Sequence, residues 1–527
     1  MERNQMMMHS RNYRARMMVP VAILASLMLL IATPSSAQKR GGTAVIAQEA
    51  GPATLDMHFS TNIATRNVVM QVFEQLMTRD DSNAPMLELA ESLVEAPDGL
   101  TYTFKIRKGI KFHNGKTLTS ADVLASFERF AKMGVQRSVL DPVAQMTAPD
   151  AETFQIVLRR RVPVFLEELS QFGNPIVIMP AEQKDMAGGK AEIIGTGPYQ
   201  FVEWVPDSHV RLKRFDGYVP DARHKGTNGF GGHKIAYLDE LDFRYVKEAV
   251  ARVAGLETGQ FHLSEDVPTK AAKRLKDNKN IVLHPVQRWW IHGTWVNHSN
   301  PPFDKLEIRR AMQIGLDMEE IMDVATDGAY DLQPGLQYPG TPYYTDAGKQ
   351  YYNVNDKKKA AELLKAAGYK GEEIVVMTLP AYQSMYDAAV VLVEQMKQIG
   401  FKVRMDPADL PSVAARQRKP DGGWHLSFTG LGTGPSVGPF GALVLMVGPD
   451  NLNHRQDMEF DKLYADMLSG ATLEERKASF AKAQERLYEQ VKMLKMGDLT
   501  KVQAARSNVK GFIPYRIPRL WNVWIEG

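Results

Sequence analysis

Gly434-Pro435-Ser436-Val437-Gly438 fits G-x-S-x-G, the pattern of a nucleophilic serine on a sharp turn. That chemistry needs a strand, a tight turn and a helix opened by the serine, with an acid–histidine pair beside it. Here Pro435 and Pro439 bracket Ser436 inside a Gly-rich loop, and no acid–histidine pair can be assigned to it. A secreted serine hydrolase is therefore the weaker reading. Gly115-Lys116-Thr117 ends like a phosphate loop, but five residues separate Gly109 from Gly115 where four are needed. The segment reads as a hairpin turn, and nucleotide binding is rejected.

The twelve histidines are scattered, with no H-E-x-x-H and no close pair on one helix face, so no protein metal site is expected. His292 and His298 flank a predicted strand and read as hydrogen-bonded structural residues. Cysteine is absent, which removes disulfides, thiol nucleophiles and Cys-ligated zinc. No cofactor is expected.

Aromatic residues carry the binding signal. Trp289, Trp290, Trp295 and Trp424 are four of the seven tryptophans, and three of them fall within Gln287 to Asn297. Tryptophan offers a large rigid apolar face with one N–H donor, which grips varied ligands at low entropy cost. Strand alternation forbids Trp290 and Ile291 from facing the same way, so about half of these aromatics should be structural.

These residues need elements to position them. In Asp98 to Phe130, Tyr102, Phe104 and Ile106 alternate with polar residues at the period of a half-buried strand. His113-Asn114-Gly115-Lys116 is turn chemistry. Thr119 with Asp122 is a capping-box start ahead of Val123, Phe127 and Phe130. Strands are also predicted at Gly41–Ala47, at Phe154, Ile156 and Leu158, and at Leu241, Phe243 and Tyr245. A hairpin is predicted with Phe201–Trp204 and Val210–Leu212 joined at Pro206-Asp207. Val68, Val69, Val72, Phe73 and Leu76 recur at helical spacing. A helix through Val250, Val253 and Leu256 should stop at Gly259. After Trp289, helices and strands alternate. Asp317 with Glu320 caps one helix, Asp356 to Tyr369 forms another, and Tyr386 to Ile399 precedes a strand at Phe401–Val403. Thr472 with Glu475 is a full capping box before a helix to about Lys495.

The N-terminus reads as a signal peptide over 1–37. Arg3, Arg11, Arg14 and Arg16 form a basic region, followed by 14 apolar-rich residues, Val19 to Ala32, too few for the roughly 20 of a spanning helix. Ser35-Ser36-Ala37 places cleavage after Ala37. Removing this segment takes four Arg and one Glu from 64 basic and 61 acidic residues, leaving 60 of each. A near-neutral chain is no general nucleic-acid binder. Roughly 490 remaining residues exceed what one core supports, so two or more domains are expected.

The block DGLTYTFKIRKGIKFHNGKTLTSADVLASFERF closely resembles the signature of the family 5 extracellular solute-binding proteins, the peptide/nickel/opine receptors of ABC importers. So do GTGPYQFVEWVP, AVARVAGLETGQFHLSEDVP, NPPFDKLEIRRAMQIGLD and DKKKAAELLKAAGY, in the family's order. The resemblance covers nearly all of 41–515. It implies a periplasmic-binding-protein-like α/β fold of two lobes joined by two crossing segments, with a hinge and the ligand between the lobes. The first lobe would comprise 38–81, 191–286 and 499–527, with an extra subdomain inserted at 82–190. The second lobe would span 287–498. The function implied is capture of a peptide or peptide-like solute in the periplasm and delivery to ABC permease subunits in the inner membrane, by a monomer that is not an enzyme. Opine, oligosaccharide and metal-chelate cargoes remain alternatives, as does a sensor or chaperone-like protein without a transporter.

The same resemblance implies that Trp289, Trp290, Trp295, Asn297 and Trp424 stand beside the cleft with Thr429, Gly430, Leu431 and Gly434. In peptide receptors of the family the last segment often reads Gly-Trp-x-x-Asp, and the aspartate pairs with the peptide ammonium. Here Leu431 replaces Trp and Gly434 replaces Asp. Burying an ammonium without a carboxylate costs several kcal/mol. Either another acid substitutes, or the ligand has no free amine there. A Gly-rich backbone offering N–H groups suits anionic or carbonyl-rich ligands.

Overall fold

Two long antiparallel strands, Ile281–Val296 and Met493–Arg506, organise the chain. Sixteen extended residues reach roughly 50 Å, enough to pass from one half of the molecule into the other. The computed structural model describes residues 38–380, 382–432 and 440–526. Residues 1–37, Gly434 and Ser436 lie outside the described residues.

On one side of the crossing pair, Leu263–Val267, Thr43–Gln48, Glu240–Tyr245, His209–Arg214 and Tyr199–Val205 extend the sheet in that order. On the other side come Leu426–Leu431, Glu373–Thr378 and Lys402–Pro407. Tyr330–Asp331 pairs with the second crossing strand and completes an eleven-stranded mixed sheet. Both halves contain parallel neighbours, Thr43–Gln48 beside Glu240–Tyr245 and Glu373–Thr378 beside Lys402–Pro407. Parallel neighbours need crossovers. In the second half the crossover is the helix Gln383–Ile399, which buries Met385, Ala388, Ala389, Leu392, Val393, Met396 and Ile399 at helical spacing.

The signature block folds as its local signals require. Thr101–Ile106 is a strand with Tyr102, Phe104 and Ile106 buried, and Ser120–Met133 is a helix with the Thr119–Asp122 capping box present. The strand belongs to a separate antiparallel sheet ordered Ala90–Glu95, Thr101–Ile106, Thr153–Leu158 and Val143–Asp150. The hairpin Tyr199–Val205/His209–Arg214 turns at Asp207, and Ala249–Thr258 stops at Gly259 in the left-handed region.

Two elements depart from the sequence reading. The first helix covers only Ile63–Val69, short of Leu76. The carbonyls of Gln71 and Val72 accept instead from Tyr199 and Gly197 (3.1 and 2.8 Å). A Cβ on Gly195 would lie 2.2 Å from the Val72 oxygen, so that close approach needs glycine. The helix capped by Thr472 spans Leu473–Gln490 and does not continue to Lys495. Val491 takes φ 52°, and Met493 onward pairs with Trp295 and Thr294 in the crossing strand. Periodicity does not distinguish helix from buried strand in so short an apolar run.

Candidate functional site

The crossing strands lose register between Val286 and Trp290, and again between His292 and Gly293. Arg288 takes φ 59° at the first break, so the strand kinks where it leaves the first half. Side chains from both halves gather at this kink. Trp289 is 8 % exposed, with Lys501 Nζ 5.2 Å and Arg516 Cζ 5.7 Å from its ring centroid. Arg288 Cζ lies 5.3 Å from the Tyr338 ring centroid. A Cβ on Gly432 would sit 3.1 Å from both terminal nitrogens of Arg516, so second-half backbone touches a guanidinium from the C-terminal stretch.

Arg66, on the helix Ile63–Val69, is 7 % exposed. Its Nη1 donates to Phe172 O at 3.5 Å, and its Nε is buried without a hydrogen-bond partner. Burial first, and then the Arg516 charge, push it down to about 9. Burial likewise holds Arg516 below the ordinary arginine range. Next to Arg66, Asn67 donates to Glu265, whose other oxygen accepts from Glu49 N at 2.7 Å. Burial raises the Glu265 carboxyl to about 7, against the lowering effect of the Glu49 N–H and Lys501. Lys501 lies 3.6 Å from Asp266 and 3.8 Å from Glu49.

On the second-half side, Trp290 is half-buried and edge-on to Tyr382 at 6.2 Å, and its Nε1 is buried without a hydrogen-bond partner. Gly430 lies against it, since a Cβ there would meet Trp290 Cδ2 at 3.4 Å and Met385 Cε at 2.9 Å. Leu431 pairs with Ile291 and Thr429 with Gly293. Behind them His292 Nε2 sits 3.2 Å from Ser384 Oγ, and burial holds its pKa down to about 4.

The remaining sequence candidates lie in the second-half interior. Trp424 is 0 % exposed and donates its indole N–H to Arg416 O at 3.1 Å. Trp295 is 2 % exposed and belongs to the same apolar core. Asn297 is buried, donating to Pro420 O and Trp424 O at 3.0 and 3.2 Å. Trp289, Trp290, Gly430 and Leu431 thus meet at the kink, while Trp295, Asn297 and Trp424 stand behind it. Sequence reasoning missed Arg66, Glu265, Lys501 and Arg516, because nothing in their local patterns distinguishes them from surface charges.

A second contact joins the halves. Glu167 accepts from Tyr343 OH at 3.1 Å and from Arg476 Nη2 at 2.9 Å, and Arg476 Nε donates to Tyr343 OH at 3.0 Å. Beside it are cavities of about 420 and 330 Å³, both reaching Arg79. Among the described residues, no group of three or more His, Asp or Glu side chains could hold a metal ion.

A profile of the bacterial extracellular solute-binding proteins, family 5 Middle, matches residues 84–453. The chain is 25% identical over 473 residues to a probable peptide ABC transporter periplasmic-binding protein of Sinorhizobium fredii, covering 86% of this chain and 88% of that one. Among solved structures, the ABC transporter substrate-binding protein CtaP of Listeria monocytogenes superposes with a TM-score of 0.80 at 22% identity, over 92% of this chain and 100% of that one. The binding protein AgaA from A. tumefaciens R10, in complex with agropinic acid, superposes with a TM-score of 0.72 at 25% identity, over 92% of this chain and 99% of that one. The fold is the two-lobed α/β fold of those binding proteins, and the chain belongs to the bacterial extracellular solute-binding proteins, family 5.

Proposed function

We propose that this chain captures a peptide-like solute in the periplasm and delivers it to the permease subunits of an ABC importer. The observation that carries the reading is the kinked seam. Two strands cross between the lobes there, and aromatic, cationic and glycine positions from both lobes face one another. A kink in a crossing pair is where hinge motion can be absorbed with the lobes themselves unchanged. The domain limits we assign are 38–81, 191–286 and 499–527 for the first lobe, 82–190 for its insert and 287–498 for the second. Both limits at 286/287 and 498/499 fall inside the crossing strands.

In this reading Trp289, Trp290, Thr429, Gly430 and Leu431 line the ligand space. Trp295, Asn297 and Trp424 hold that wall in place. The protein works as a monomer, performs no chemistry, and loses residues 1–37 on export. An opine-like cargo is the second reading, favoured by the likeness to AgaA, which was solved with agropinic acid.

Native mass spectrometry of protein purified without denaturation tests the proposal. A small solute should leave with the folded chain, and adding it back to stripped protein should shrink the radius of gyration in small-angle scattering. A saturating solute that leaves the radius unchanged counts against closure. Intact mass of periplasmic protein should begin at Gln38.

A further inference from the structure

Away from the seam, we propose that the second lobe carries an anion site of its own, in which the Lys492 amine and the uncapped start of the helix Leu306–Gly315 receive an oxyanion of the phosphate or sulfate type. The site is a cavity of about 550 Å³ at the far end of the crossing strands. Trp295 pairs with Met493 there, and His298 and Lys492 lie just past that pair. From Trp290 at the kink to Val296 the strand runs roughly 20 Å, so the cavity stands apart from the seam. Lys492 is 1 % exposed, and its Nζ makes no hydrogen bond. Among the described residues one carboxylate lies within 4 Å of it, Asp457 Oδ2 at 3.9 Å. Asp457 is already held by Arg486 Nε and Nη2 at 2.8 to 3.0 Å, and it accepts from Phe460 N at 3.1 Å. Burial, which Asp457 offsets only in part, pulls the Lys492 amine down to about 8.

The rest of the buried lining has the same sign. Arg309 is 3 % exposed and donates only to carbonyls, those of Phe303 and Gln490. Burial keeps His298 neutral. Lys492, Arg309 and Arg486 thus stand against the single carboxylate of Asp457. Asp304, Glu307 and Glu459 also line the cavity, but they are exposed and water screens them. The helix Leu306–Gly315 starts at the cavity wall with Lys305 as N-cap, and no side chain caps it. Its first N–H groups carry the positive end of the helix dipole. The helix Met458–Ser469 starts there too, but Asp457 already caps it. A buried amine without a hydrogen bond costs free energy that a bound acceptor recovers. A tetrahedral oxyanion has acceptors on every side, which suits an amine and helix N–H groups arriving from separate elements. The volume also admits a small molecule that carries the oxyanion.

The test uses the full mature chain and its Lys492→Met and Lys305→Glu variants. The probes are sulfate, inorganic phosphate and glycerol 3-phosphate, titrated by calorimetry in chloride buffer of matched ionic strength. Sulfate should bind the parent at one site. Lys492→Met should weaken it about tenfold or more, the loss expected for one hydrogen bond to a charged group. Lys305→Glu changes an exposed side chain at the cavity wall and should weaken it in the same direction. At pH 8 the parent should take up protons as sulfate binds, because the anion favours the charged amine, and Lys492→Met should not. The dependence of the binding heat on the buffer reads that uptake. Tighter binding of glycerol 3-phosphate than of phosphate assigns the site to a carried oxyanion, and the reverse order to the free ion. Solute that co-purifies with the parent should remain on both variants. Failure of the parent to bind sulfate or phosphate, or equal binding by Lys492→Met, overturns the proposal. Loss of co-purified solute together with sulfate binding would put the anion in the solute cleft and overturn it as well.

Discussion

Arg129 and Arg66 are both buried guanidiniums on helices of the same half of the molecule, and their surroundings differ completely. Arg129 is met by Asp56 through two hydrogen bonds, 3.0 and 2.6 Å, with Met186 O and Ala187 O at 3.3 and 3.5 Å. Lys234 is similarly enclosed by Glu88 at 2.5 Å and Glu74 at 3.3 Å. Arg66 has one carbonyl at 3.5 Å and another arginine for a neighbour. Closed sets of charge hold the scaffold together, and their partners come with the fold. Arg66 makes one long hydrogen bond and its Nε has no partner, so removing its side chain should cost the fold less.

The sharpest way to break this comparison is to remove both arginines in turn. Arg129→Gln leaves Asp56 buried and uncompensated, and should cost about 3–5 kcal/mol in urea unfolding. Arg66→Gln should leave ligand-free stability unchanged or raised. Equal losses in both variants would erase the distinction between scaffold and site.

The tryptophans extend the same contrast. Trp424→Ala should lower stability by about 3–5 kcal/mol, because it empties a filled core position. Trp290→Ala should change unfolding little and weaken solute binding by about 2–4 kcal/mol, read by titration calorimetry. A Trp290 variant that is merely unstable would move that residue into the scaffold.

Glu265 sharpens the picture through pH. Its folded pKa of about 7 lies above the ordinary 4.5, so the protonated acid is favoured by folding. The stability this contributes is complete below about pH 4.5 and is lost as pH rises through about 7. Facing it are Asn67, Lys501, Asp266 and Glu49. The difference in stability between the parent and Glu265→Gln should therefore change across pH 4.5–7 and be flat above it. A flat difference throughout would place Glu265 in open solvent.

The smallest effect is expected at the contact between lobes formed by Glu167, Tyr343 and Arg476. Glu167→Gln should shift the scattering radius of ligand-free protein slightly upward, with little change in melting temperature.

Several elements were legible from short windows. The strand at Thr101–Ile106, the capping box at Thr119 and the stop at Gly259 depend on neighbours within a few residues, and all three appear. The stretch from Val491 to Met496 was not legible, because an apolar run reads as helix or strand until a partner is known. Its partner, Trp295, lies some two hundred residues away in sequence. The tryptophans were visible as a cluster, yet their division between cleft wall and core depends on strand pairing and on which groups close over each ring.

Residue order alone determined the family, the alternation of helices and strands, and the missing acid at Gly434, since these are properties of composition and local spacing. Tertiary structure alone decided that Trp289, Lys501 and Arg516 share one seam. Lys501 and Arg516 lie 5.2 and 5.7 Å from the Trp289 ring centroid in space, yet each is more than two hundred residues from it along the chain, where no pattern could connect them.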